Sequence, residues 1–167
     1  MHILRLLIIM ALVAFPSEAS AADSLMMAVT AGVRDRGLLD YLKPLLLRET
    51  GIDLKWVSAD TGKALEHGKN CGVDALLLHD PAAELKMIEE GFAVDRREVM
   101  YTLEGDANRL NQYSVMTVNP AKCPGVKAAL AEKFSDWWVC ASTRRHIAAF
   151  KLEGKQIFFP NAAPPSR

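Results

Sequence analysis

Apolar residues fall in short blocks along this chain, and each of the first three blocks is followed by a stretch with helical spacing. Leu25 to Thr30 is almost wholly apolar, as in a strand covered on both faces. A loop over residues 31–36 follows. Then Leu38, Leu39, Leu42, Leu45 and Leu46 recur at helical spacing, with Pro44 inside the pattern and Gly51 as its stop. Pro44 predicts a kink or a break. Ile52, Leu54 and Trp56 alternate with Asp53 and Lys55, the signature of a half-exposed strand. Asp60 or Thr61 caps the next helix, which ends near Gly68. Ala75 to Leu78 is a third apolar strand, and Asp80 with Pro81 opens a helix that stops at Gly91. Three strand–helix units in succession predict parallel strands with right-handed crossovers. The fold class is therefore α/β, with a mostly parallel sheet flanked by helices. The loops after the three strands, at Thr30–Arg36, Ser58–Thr61 and His79–Pro81, then share the carboxyl edge of the sheet. In open α/β sheets, ligands bind at that edge.

The pattern changes after Tyr101. Thr102 to Arg109 is polar and contains Gly105, Asp106 and Asn108, so it reads as a linker. Tyr113 to Val118 is a strand, Val126 to Trp138 an amphipathic helix, Arg144 to Phe150 a short second helix, and Ile157 to Phe159 a last extended piece. Trp137 and Trp138 are adjacent, so one narrow helical face does not bury both. The tail over 162–167, with Pro164-Pro165, reads as disordered. At the other end, Arg5, the apolar run Leu4–Phe15 and Ala19-Ser20-Ala21 match a secretory leader over residues 1–21, with the mature chain starting near Ala22.

Charge narrows the chemistry. Lys plus Arg number 20 and Asp plus Glu number 20, so no broad field draws in nucleic acid or anionic lipid, and any anion must be selected locally. Three cysteines, Cys71, Cys123 and Cys140, allow one bridge and one leftover thiol in an oxidising compartment, with the pairing open. His67, Cys71, His79, Cys123 and His146 have no zinc spacing, so no metal or other cofactor is expected. There is no nucleophile–base motif, paired-carboxylate site or phosphate loop, which argues against an enzyme.

Specific runs carry a resemblance. Gly37-Leu38-Leu39-Asp40-Tyr41-Leu42, Asp60-Thr61-Gly62-Lys63-Ala64-Leu65 and Leu77-Leu78-His79-Asp80-Pro81-Ala82-Ala83-Glu84 occur in this order. Leu110-Asn111-Gln112-Tyr113-Ser114-Val115, Val118-Asn119-Pro120, Pro124-Gly125-Val126 and Gly154 to Ala162 follow. Together they resemble the tungstate-binding components of bacterial ABC importers. The resemblance implies a type II periplasmic-binding-protein-like lobe over 22–161: a core over 22–101, a linker over 102–109 in place of most of a second lobe, and a return segment over 110–161. It implies a periplasmic protein that captures tungstate or molybdate for an importer permease. Thr30, Ala31, Ser58, Thr61, Gly62 and His79 are the implied ligand-binding set. The family's hydroxyl-rich run before Gly-Leu-Leu-Asp survives here only in Thr30, while Arg34 and Arg36 bring charge instead. Binding is thus expected to be weakened. The alternative is a non-binding interaction module that keeps the lobe fold. An uncovered hinge face around Tyr101, Tyr113 and one of the two tryptophans would make a second copy of the chain a candidate partner.

Overall fold

The computed structural model describes residues 22–104 and 109–162. The leader (1–21), the middle of the linker (105–108) and residues 163–167 of the tail lie outside the described residues. Twelve elements follow in chain order: β1 (Asp23–Thr30), α1 (Ala31–Asp35), α2 (Leu38–Thr50), β2 (Ile52–Ala59), α3 (Thr61–Lys69), β3 (Ala75–Leu78), α4 (Pro81–Glu89), β4 (Ala93–Glu104), β5 (Arg109–Val118), α5 (Ala128–Val139), α6 (Ala141–Ala149) and β6 (Phe159–Pro160).

One six-stranded sheet has the order β2-β1-β3-β5-β4-β6. β1 pairs in parallel with both β2 and β3, as the three strand–helix units require. The other half is antiparallel: β3 with β5, β5 with β4, and β4 with β6. The sheet as a whole is mixed, its parallel part confined to the first three strands. Two apolar layers cover it. One gathers Leu38, Leu42, Leu46, Phe134, Trp138 and Phe158 on the side of α2, α5 and α6. The other gathers Ala64, Met87, Met116 and Cys123 under α3 and α4.

Local chemistry explains most boundaries. Gly51 ends α2 in the left-handed region (φ 76°), which costs glycine nothing. Asp60 caps α3 and Asp80 caps α4, with Pro81 in the first turn. Pro44 does not break α2, which runs unbroken from Leu38 to Thr50. The segment read as the first loop contains the short helix α1. Cys71 and Cys123 form the disulfide, leaving Cys140 as the free thiol.

Three readings are corrected. The linker reading over 102–109 is too broad: Thr102, Leu103 and Glu104 extend β4, and Arg109 begins β5. Their registered pairs run from Met100↔Tyr113 through Thr102↔Asn111 to Glu104↔Arg109. β3 stops at Leu78↔Ser114, so Arg109–Tyr113 stand beyond it. At about 3.3 Å per residue these five residues make an overhang of roughly 16 Å above the carboxyl edge. The second correction concerns the hinge face. Tyr113, Trp137 and Trp138 are buried, and Tyr101 stacks on Phe159 with ring centroids 5.2 Å apart. Both tryptophans are covered because α5 packs on the sheet and also meets helices α2 and α6. Trp137 also donates its indole N–H to Glu49 at 2.9 Å. The exposed apolar pair is instead Leu103 and Leu110, opposite each other on the overhang. At the tail, Ala162 is buried and its carbonyl accepts from Arg144, so the ordered chain reaches at least that residue.

Candidate functional site

The carboxyl ends of β1, β2 and β3 are level. Thr30 lies opposite Ala59, and Val29 sits between Ser58 and Leu77. A helix starts directly after each: α1 at Ala31, α3 at Thr61 and α4 at Pro81. The free backbone N–H groups of three helix starts therefore converge on one edge, the geometry that holds oxyanions without formal positive charge.

The three starts differ. At α4, the Asp80 carboxylate accepts from the Ala83 N–H at 3.1 Å, and the Asp80 N–H donates to Glu84 at 3.0 Å. Glu84 is fully buried and takes the Arg96 Nε at 2.8 Å. Burial pushes its carboxyl pKa up, against the pull of Arg96. At α3, the Asp60 carboxylate accepts from the Lys63 N–H at 2.9 Å. The cap is thus Asp60, and Thr61 is the first helical residue, half-buried beside exposed Gly62. At α1, Thr30 is the cap residue but its side chain caps nothing. Its hydroxyl lies 2.9 Å from Nδ1 of His79, and the residue is 2% exposed.

The structure brings Thr30 and His79 into contact and places Ala31, Thr61 and Gly62 on the same edge. Ser58 lies on the opposite face of β2 from Ala59, since Ala59 joins the layer under α3 and Trp56 joins the other. Arg34 and Arg36 are engaged with carboxylates: Arg34 with Asp35, and Arg36 with Glu104 at 3.4 Å. Neither replaces the absent hydroxyls.

Sequence reasoning missed the role of Tyr113. Its ring lies 5.1 Å from the His79 ring, and a Cβ added to Gly32 would come 3.1 Å from its hydroxyl. A larger residue at position 32 would press on the Tyr113 hydroxyl unless one of the two moved by a few tenths of an ångström. Burial raises the Tyr113 pKa, with Arg36 opposing and Glu104 adding to the shift. Asn111 reaches both the Tyr113 hydroxyl and Glu104, at 3.4 and 3.3 Å. The overhang thus presents a polar face to α1, beside the carboxyl edge. The only advance signal was Tyr113 falling a few residues after the polar run 102–109. Among the described residues no cluster of three metal-ligating side chains occurs, and no helix is long and apolar enough to cross a membrane.

Fold and edge together define a lobe of the periplasmic-binding-protein fold. The family model described as a PBP superfamily domain matches residues 16–105, more than half of the chain, and the chain belongs to that family. The tungstate-binding protein TupA of Campylobacter jejuni is 52% identical over 65 residues, which are 39% of this chain and 24% of the relative. TupA of Peptoclostridium acidaminophilum is 42% identical over 94 residues, 54% of this chain and 33% of the relative. The chain therefore matches a quarter to a third of the length of these curated relatives. The solved TupA of Desulfovibrio alaskensis G20 superposes with a TM-score of 0.82 at 28% identity, covering 85% of this chain and 100% of that one.

Proposed function

We propose that this chain is a periplasmic oxyanion-binding lobe of the tungstate and molybdate class, serving the permease of an ABC importer as a binder and not as an enzyme. The observation that carries the reading is the level carboxyl edge, where Thr30, Ala31, Thr61 and Gly62 gather at helix starts beside His79. The TupA likenesses in sequence and structure support the same reading. The binding is weak for three reasons. Ala31 and Gly62 are exposed, so water competes for the donors there. Asp60 and Asp80 place carboxylates at two of the three helix starts. The Thr30 hydroxyl is engaged with His79. Each lost charge-assisted hydrogen bond costs about 1.5–3 kcal/mol, about one to two decades in affinity.

Calorimetric titration with tungstate, molybdate and sulfate tests the reading. Dissociation constants above micromolar, tightest for tungstate or molybdate, are expected. The two carboxylate caps favour one rival, an interaction module that keeps the fold without the ligand. Absence of any anion binding, with the fold intact, would decide for that rival.

A further inference from the structure

Helix α2 turns one side to the core and leaves the other bare. Leu38, Leu39, Leu42 and Leu46 are buried. At about 100° per residue, Asp40, Tyr41, Pro44, Leu47 and Arg48 share about a third of the circumference on the opposite side. All five are exposed, Tyr41 to 37% and Leu47 to 40%. The Tyr41 ring rests against Phe150, with centroids 5.3 Å apart, so its outer edge is held in place. Single exposed apolar residues are ordinary, but this set has an order. Turned end for end about Pro44, Tyr41 falls on Leu47 and acidic Asp40 falls on basic Arg48. The frame is symmetric too. Pro44 is the middle residue of Leu38–Thr50, and Gly37 and Gly51 bound that span with open space where a side chain would stand.

A face that complements itself under a two-fold turn is what a symmetric pair requires. We propose that the outer face of α2 docks a second copy of this chain, the two helices lying antiparallel with Pro44 of each at the two-fold axis. Tyr41 of each copy then packs on Leu47 of the other, and Arg48 of each meets Asp40 of the other. The proline adds to this contact. It has no N–H, so the Asp40 carbonyl lacks its helical donor, and a guanidinium has enough N–H groups for both that carbonyl and the carboxylate. The Arg48 side chain is 67% exposed, and its ion pair within the chain is a 3.7 Å approach to Glu49. Lys43, the other cation of α2, is turned away to Asp53 and the Trp56 ring. One helix crossing buries less than the roughly 1,200 Å² of a stable interface, so the pair is weak, with a dissociation constant between about 10 µM and 1 mM. Because α2 runs back from the carboxyl edge, antiparallel pairing aims the two edges in opposite directions and leaves both open. The inference therefore stands apart from the oxyanion reading.

Sedimentation of the whole protein from about 5 µM to 1 mM, at low salt, tests the pair. The unaltered chain should pass from monomer to dimer with nothing larger, because a two-fold contact closes on itself. Asp40→Arg and Arg48→Glu each set like charges against one another at both contacts, and each should weaken pairing about tenfold or more. Both positions are exposed, so neither change disturbs the core. Mixed one to one, the two variants bring opposite charges together at both contacts, and a mixed dimer should form with about the affinity of the unaltered pair. A monomer across the whole range would overturn the inference. So would single variants that pair as well as the parent, or a mixture that stays monomeric while the parent pairs. None of these outcomes touches the oxyanion reading, which the calorimetric titration decides.

Discussion

The two halves of the sheet end in different ways. In the parallel half, β1, β2 and β3 stop level, and helices begin at once, so the edge is a row of backbone donors and their caps. In the antiparallel half, β4 and β5 run past that edge as a paired overhang whose inner face carries Thr102, Glu104, Asn111 and Tyr113. The first half offers a ligand main-chain groups that substitutions other than proline leave in place. The second offers side chains, each replaceable. A site that draws on both has a fixed floor and a variable wall.

The comparison can be broken where the halves are joined. The Cys71–Cys123 bridge ties the turn before β3 to the segment after β5, across a sequence separation of 52. Cys71→Ser with Cys123→Ser should cost about 4 kcal/mol in chemical denaturation, from the regained freedom of the unfolded chain. A second joint is Glu84 on α4 with Arg96 on β4. Arg96→Met strands a buried carboxylate and should cost about 3 kcal/mol at neutral pH. Because burial raises the Glu84 pKa in the folded state, its contribution is most favourable below the ordinary carboxylate range and is lost as pH rises through the folded value. Mild acid should therefore recover part of the deficit, and a denaturation series against pH reads it.

Smaller effects sharpen the comparison. Gly32→Ala pushes on the Tyr113 hydroxyl, where α1 meets the overhang. A stability loss of about 1 kcal/mol is expected, with a larger proportional loss of tungstate binding, since the start of α1 shifts from the edge. Leu103→Thr and Leu110→Thr lie on the outer face, and each should change stability by about 0.5 kcal/mol or less while leaving anion binding as it was. Equal sensitivity of inner and outer faces would erase the distinction between wall and surface.

The floor was legible in the sequence and the wall was not. Ala75–Leu78 is a strand with the expected bounds, and Asp80-Pro81 opens α4, because apolar runs and capping residues act locally. The overhang hid because its polar residues face α1 rather than an apolar core, so no hydrophobic alternation marks Thr102–Glu104 as strand. The burial of Trp137 and Trp138 was hidden for the opposite reason: two partners cover α5, and sequence periodicity presumes one. Thr61 looked like a cap because its neighbour Asp60 is an equally good one. Only coordinates show that Asp60 holds the Lys63 N–H.

The register of Glu104 against Arg109 has a bearing on how such chains gain and lose length. Paired strand ends sit about 5 Å apart, so whatever polypeptide joins them must leave and return at nearly one point. The entropic cost of closing a segment there grows slowly, about 0.6 kcal/mol for each doubling of its length. The two apolar layers described above are built from residues outside that interval. The paired ends of β4 and β5 thus form an insertion port, where a few residues or an entire folded unit can be exchanged while every strand below keeps its partners.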